Sequence, residues 1–491
     1  MMKEMMFKPK KWLSLLMTAT LVLTGCASHD LTPLEGPVDA PQRFGGSDTQ
    51  ANNVQAKWWE SYHDAVLNQL VETTLRDNPN LGIVYARLRA AREQVTLTST
   101  GSLPHVDGSL GWSNSRTSAN TPFGEALGGQ AIKGNQYTVG TTMSWEPDIW
   151  RRVANAVEVA DTKVVLAKIE IDSYMLILCA EVVQFYWQMR SAEAELAILQ
   201  NMAQSRADTT NLLASRQRGG FIGELDVARA RVEQASAEAD LEDARKRRAL
   251  NQHSLATLTG RPIADFAVAP IYTDAGNALL LPSPPAVTPG LPAQILVRRP
   301  DLAETTQHIR AAVAGRNIAQ ADLYPSIKLT SDFGFASKEL NTLLNSGSRQ
   351  FSLGPVAISL PLFDGGKLKA NLATADARYQ EAVAVHKSKL LLALKEVDDA
   401  LTEIAANESA ANKRQEAVLA AKRANTIVRF RYDKGLTSYL EVMDGERTLL
   451  AIEKGMLQNR ALALVASVQL VRALGGSWNA GEAVTPAALV P

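Results

Sequence analysis

Six histidines, two cysteines and one Gly-Gly-Lys triplet are the residues of this 491-residue chain whose types invite chemistry. The histidines (His29, His63, His105, His253, His308 and His386) are scattered, with no spacing that brings two of them onto one metal ion. Gly365-Gly366-Lys367-Leu368 ends like a phosphate-binding loop. However, Pro361 stands where the leading glycine belongs, and Leu368 replaces the Ser or Thr that would hold magnesium. Cys179 lies inside the apolar run Tyr174-Met175-Leu176-Ile177-Leu178-Cys179-Ala180 and reads as a small buried hydrophobe. Two cysteines cannot build a disulfide framework. No nucleophile beside a base is legible in the chain order. The expectation is a protein that is not an enzyme, with no metal and no cofactor.

Cys26 is a separate case. Lys3, Lys8, Lys10 and Lys11 form a basic start, and the apolar core from Trp12 to Leu23 is too short to span a bilayer comfortably. This core leads into Leu23-Thr24-Gly25-Cys26-Ala27. The Leu-x-Gly-Cys ending resembles a bacterial lipobox, in which Cys26 becomes the first residue of the mature chain and carries diacylglycerol and an N-acyl chain. Ala27, in place of Asp, resembles lipoproteins forwarded to the outer membrane. Acyl chains add membrane affinity of roughly 0.8 kcal/mol per buried CH2. Residues 1–25 therefore read as a lipoprotein signal peptide. Residues 26–57, rich in Pro, Gly, Asp and Ser, read as a lipidated linker.

The remaining elements are organised by two proline-free stretches, Pro147 to Pro262 and Pro361 to Pro486. Proline is the strongest helix breaker, so such stretches permit very long helices. Each has a glycine stop near its middle, at Gly220 and at Gly435, preceded by a basic turn. Each stretch therefore reads as a long helical hairpin, with Ser438 placed to cap the second returning helix. A shift of 215 positions carries Arg216 onto Arg431, Gly220 onto Gly435, Leu225 onto Leu440, Asp226 onto Glu441 and Val227 onto Val442. A shift of 221 carries Pro79 onto Pro300, Leu81 onto Leu302, Arg89 onto Arg310 and Pro104 onto Pro325. The chain is a tandem repeat. The first unit is 58–261, with its tip near 220. A Pro-rich connector fills 262–292. The second unit is 293–478, with its tip near 435, and a loose tail fills 479–491.

Between the leading helix and the hairpin of each unit, the hydrophobic period changes from helical to two. Val106, Leu110 and Trp112 alternate with Asp107, Ser109 and Gly111, and Tyr137, Val139, Thr141, Met143 and Trp145 with Thr138, Gly140, Thr142 and Ser144. The second unit repeats this with Ile327, Leu329, Ser331, Phe333 and Phe335, then with Val356, Ile358, Leu360 and Leu362. Strands are expected at about 104–114, 136–147, 325–336 and 351–363. Ten-residue strands cross a bilayer when tilted. Four of them cannot close a barrel, and an open edge cannot face lipid, so several chains must share one barrel if these strands lie in a membrane. Lys+Arg and Asp+Glu both number 51, and this zero net charge gives no reason to expect a nucleic-acid partner.

The lipobox, the duplicated helix-strand-strand-helix-helix unit, Arg298-Arg299-Pro300-Asp301-Leu302, Leu360-Pro361-Leu362-Phe363-Asp364-Gly365-Gly366, the Leu440-Glu441-Val442 tip and the Ala473-Leu474-Gly475-Gly476 close occur in this order. Together they resemble the TolC-like outer-membrane factors of tripartite efflux pumps and type I secretion systems, in the lipidated drug-efflux branch. The resemblance implies an α+β membrane protein. It implies a homotrimer in which each duplicated unit gives two strands of a shared 12-stranded outer-membrane β-barrel, continued by a periplasmic α-helical coiled-coil barrel. It also implies outer-membrane lipid around the barrel, and a periplasmic adaptor and an inner-membrane pump meeting the tips at Gly220, Phe221, Gly435 and Leu436. The periplasmic gate carried over by motif comprises Asp226, Tyr432, Glu441 and Asp444. Thr437 stands where some members place an arginine that pairs with the tyrosine, so Arg431 or Lys434 is expected to substitute. The function implied is an exit duct for small molecules such as drugs. The competing readings are a periplasmic coiled-coil scaffold lipoprotein, which needs no such strands, and a duct for type I protein secretion.

Overall fold

The computed structural model describes residues 57–126, 128–272, 281–286 and 298–476. The signal peptide, Cys26, nearly all of the linker, part of the connector and the tail lie outside the described residues. A 3-10 turn, Trp58–Tyr62, leads into α1 (Ala65–Asp77) and α2 (Pro79–Ser99). Asn78 separates the two helices. Its side chain accepts the Asn80 N–H at 2.9 Å, and Pro79 occupies the first turn of α2, where a missing N–H costs nothing. The strands β1 (His105–Arg116) and β2 (Lys133–Trp145) follow, then α3 (Arg152–Arg218) and α4 (Glu224–Leu258). The second unit supplies α5 (Pro300–Ala321), β3 (Ser326–Ser337), β4 (Arg349–Ser359), α6 (Lys367–Asp433) and α7 (Tyr439–Ala473). The hairpins match in length: α3 and α6 have 67 residues each, and α4 and α7 have 35 each. At 1.5 Å per residue the longer arms extend about 100 Å.

The main core lies partway along these helices. Trp58, Trp59 and Tyr62 pack with Leu67 and Val71 of α1 against Val183, Tyr186 and Trp187 of α3 and Leu464 and Val468 of α7. Tyr62 and Ser467 share a buried hydroxyl contact of 2.7 Å that joins the start of the chain to its last helix. Cys179 is buried in this core, and desolvation pushes its thiol up to about 12. Toward the sheet, Leu81, Val84 and Leu88, at helical spacing along one side of α2, are buried against Ala167, Ile171 and Leu178 of α3. No helix of the described residues is long and apolar enough to cross a membrane.

The four strands form one antiparallel sheet in the order β1-β2-β3-β4. The register places Leu110, Val139 and Phe335 in one row, and Thr141, Phe333 and Phe351 in another, on one apolar face. Asp107, Thr142, Asp332 and Ser352 form a row on the opposite, polar face. The outer edges of β1 and β4 have no partner within the described chain. Apolar side chains stand bare along both, with Leu110 82% and Leu353 84% exposed.

β4 departs from expectation in two ways. It ends at Ser359, opposite the first residue of β3, so Leu360, Leu362 and Phe363 lie beyond the strand. β3 offers no further partner there, and Pro361 has no N–H for a ladder. The register also shifts by one between Leu329 and Ser331, with Gly354 and Pro355 together facing Thr330. That bulge places Phe351 and Leu353 on the same face as Val356 and Ile358, which strict alternation separates.

Candidate gate at the hairpin tips

Both hairpins turn by the same device. The Gly220 N–H donates to Gln217 O at 2.9 Å and the Phe221 N–H to Arg216 O at 3.0 Å. The Gly435 N–H donates to Tyr432 O and the Leu436 N–H to Arg431 O, both at 2.9 Å. These paired bonds close a helix C-terminus and need a left-handed residue at the glycine, where φ is +74° and +72°. Ser438 precedes α7 in extended conformation, but its hydroxyl makes no capping bond. Phe221 and Leu436 point away from the protein, 82% and 66% exposed.

Just above the turns, the two hairpins meet in a small apolar cluster. Leu213 of α3, Val227 and Ala230 of α4, and Tyr439, Val442 and Met443 of α7 are all buried in it. Tyr432 borders the cluster, with its ring centroid 5.9 Å from that of Tyr439. Burial, with the Glu446 charge next in weight, pushes the Tyr439 hydroxyl up to about 12, so it stays a neutral phenol.

The structure puts the four expected gate residues at this end of the hairpins but does not link them to one another within the protomer. Asp226 and Tyr432 are half-buried, whereas Glu441 and Asp444 are exposed. None of the three carboxylates takes part in an ion pair among the described residues. Within the protomer, neither Arg431 nor Lys434 is the cation at Tyr432. Arg216 of the first hairpin reaches Tyr432 instead, with Nη1 3.4 Å from the hydroxyl and Cζ 5.9 Å from the ring centroid. Lys434 lies over Phe430 at 5.5 Å. Arg431 projects from the helix end into solvent. Thr437 is too short to reach a partner, and its hydroxyl is buried without one.

Further from the tips is a set of charges that sequence reasoning missed. Glu233 of α4, 4% exposed, is paired with Arg206 of α3 at 2.9 Å and with Arg447 of α7. Arg206 also donates to the Glu233 carbonyl at 2.8 Å. On the other face of α7, buried Glu446 pairs with Arg429 at 2.5 Å and buried Glu453 with Lys422 at 3.2 Å, both from α6. The signal was present in the heptad steps 446, 450, 453 and 457, which place two glutamates at core positions among leucines. No group of residues suited to hold a metal ion exists among the described residues.

A sheet with one apolar face, a polar reverse and two unpaired edges, joined to helices about 100 Å long, defines the class: a chain that contributes part of a membrane barrel and part of a tunnel. Comparison with known proteins agrees. The family described as "Outer membrane efflux protein" matches residues 70–261 and 291–476. The chain is 29% identical over 481 residues to the toluene efflux pump outer membrane protein TtgI of Pseudomonas putida, covering 96% of this chain and all of the relative. It is 31% identical over 486 residues to the cation efflux system protein CusC of Escherichia coli, covering 94% and 97%. The fold matches the CmeC outer membrane channel of Campylobacter jejuni with a TM-score of 0.83 at 21% identity, over 92% of this chain and 95% of that one. The chain belongs to the outer membrane efflux protein family and is an outer-membrane efflux channel. These relatives are transport proteins and not enzymes.

Proposed function

We propose that three copies of this chain assemble into one 12-stranded barrel and one periplasmic tunnel. The assembly is the passive exit duct of a tripartite system whose adaptor and inner-membrane pump engage the tips at Gly220, Phe221, Gly435 and Leu436. Cys26 anchors each copy through its diacylglycerol and N-acyl chains. Asp226, Tyr432, Glu441 and Asp444 ring the narrow end, where crowded carboxylates favour cations and resist one another's charge. The cargo is small molecules. Relatives named for toluene and for cations match almost equally well, which favours a pump that selects and a duct that does not.

The observation that carries this reading is the four-stranded sheet with an apolar face and two bare edges. Unpaired backbone cannot face hydrocarbon, so β4 of one copy must pair with β1 of the next. The test combines the mass of the detergent-extracted protein with its conductance in a planar bilayer. A three-chain mass and a small, cation-preferring conductance that rises in Asp226→Ala, Glu441→Ala and Asp444→Ala is the expected result. A pore insensitive to all three sinks the gate assignment. A protein that becomes water-soluble once its acyl chains are removed supports a scaffold instead.

A further inference from the structure

One heptad nearer the tip than Glu233, the equivalent position keeps its acid, while the positions equivalent to its two arginines are leucines. Glu233 sits between Arg206 of α3 and Arg447 of α7. α4 runs up from the tip, antiparallel to α3 and parallel to α7. The equivalent tipward rung is therefore Asp226, with Leu213 on α3 and Leu440 on α7. Leu213 is buried and Leu440 is half exposed. One heptad in the other direction the rung is charged again, with Asp240 3.3 Å from Lys454. The α4–α7 ladder is thus filled at 240/454 and 233/447 and lacks its cation at 226/440. Tipward of Glu233 the hairpins meet only through the small apolar cluster and the Arg216–Tyr432 contact, among the described residues.

We infer that the Arg206–Glu233–Arg447 clasp is the pivot of the gate, and that the cation-less Asp226 rung leaves the tips of the two hairpins free to part below it. This rests on the gate assignment proposed above. The energetics favour that division. Separating the hairpins at Glu233 breaks its pair with Arg447, whereas parting them at the tip breaks no ion pair among the described residues and exposes only a few apolar side chains. Supplying the missing cation extends the ladder, so Leu440→Arg locks the tips, and it does so only while residue 226 is acidic.

The test uses the full-length protein in detergent, spin-labelled at Phe221→Cys and Leu436→Cys, with pulsed electron paramagnetic resonance and bilayer conductance as readouts. One solvent-facing ion pair is worth up to about five-fold in an equilibrium. Leu440→Arg is therefore expected to narrow the tip-to-tip distance distribution and lower conductance by roughly two- to five-fold. Adding Asp226→Asn restores both. Glu233→Gln, or Arg447→Ala at its exposed position if the former folds poorly, broadens the distribution and raises conductance. The inference is overturned if the effect of Leu440→Arg persists with Asp226→Asn, or if neither clasp variant moves the tip distances. A wild-type assembly that conducts nothing refutes the duct, while the distances still judge the pivot.

Discussion

Four glycines end the four long helices in the same way, and their surroundings predict very different costs for the same substitution. Gly220, Gly260, Gly435 and Gly475 have φ between +69° and +82°, and each is followed by a residue whose N–H reaches back to a carbonyl five residues earlier. An alanine in the left-handed region costs about 1–2 kcal/mol whatever its surroundings. At Gly220 and Gly435 an added Cβ has nothing within 4 Å, so that is the whole expected cost. At Gly260 the Cβ would lie 2.6 Å from Asp77 O, and at Gly475 1.9 Å from Arg298 O. Ordinary contact begins at 3.4 Å, so the Arg298 carbonyl must retreat by about 1.5 Å. It cannot retreat cheaply. The next residue, Arg299, is held by Ala473 O at 2.9 Å, by Asp301 at 2.8 Å and by Glu396 at 2.8 Å. The expected order of damage is Gly475→Ala, then Gly260→Ala, then the two tip variants together. The tip variants should lose about 1–2 kcal/mol and Gly475→Ala at least twice that, in the range of severe core substitutions. Heat-induced loss of the assembled species on a gel, with helical circular dichroism on the same samples, measures the series. Equal losses at all four positions, or a Gly475→Ala variant no worse than Gly435→Ala, would refute the steric reasoning.

Two more predictions follow from single contacts. Burial opposes the charge on Asp301, but the hydrogen bonds and charge of Arg299 outweigh it and hold the carboxyl below its ordinary range. A depressed acid stabilises the fold above its unfolded pKa, and that stabilisation is lost as pH falls through the folded value. Asp301→Asn should therefore lower the thermal midpoint at neutral pH, with the gap from wild type closing once the pH drops below the ordinary carboxylate range. In the sheet, Gly140 and Gly334 face each other across the β2–β3 seam, and a Cβ on Gly334 would lie 2.4 Å from Val139 O. Gly334→Val should abolish the heat-resistant assembly on gels, while Gly108→Val, with open space around it, should preserve it.

The scaffold was largely legible because it depends on residues with strong local preferences. Glycines, prolines and a 215-residue offset place both hairpins, and the α4 limits at Glu224 and Leu258 can be read from Gly223 and Gly260-Arg261-Pro262. What failed to show depends on partners distant in sequence. β4 was read to 363, but its end at Ser359 is set by where β3 begins, and its face assignment turns on a bulge opposite Thr330. Arg216 meets Tyr432 across 216 positions, and no local pattern announces that contact. Glu233 and Glu446 were passed over because a carboxylate on a helix is ordinarily solvated, and only the facing arginine makes burial tolerable.

The buried charges matter more for register than for net stability. Long helices packed through Leu and Ala can slide by a heptad with little change in apolar contact. Along the second hairpin, Arg429 faces Glu446, Lys422 faces Glu453 and Gln415 accepts from Arg460 at 2.7 Å, each rung one heptad from the last. A slip by one heptad would move Glu446 from Arg429 to Lys422 and leave Arg429 facing the turn, and would set Glu453 against Gln415. Well-packed apolar replacements for such pairs are often neutral in stability, but stranding one partner costs about 3–5 kcal/mol. The rungs therefore penalise every register except one. The first hairpin is pinned at less regular intervals: Arg206 of α3 pairs with Glu233 of α4, and Glu195 and Glu193 of α3 pair with Arg247 and Arg248 of α4, while Glu233 draws on α7 as well. α7 is thus tied by charge to α6 down to Glu446 and to α4 down to Arg447, and nearer the tip it meets α4 through the apolar cluster. Two hairpins of equal length and like turns therefore differ in where each is pinned, and that difference lies in side chains that the duplicated backbone left free to diverge.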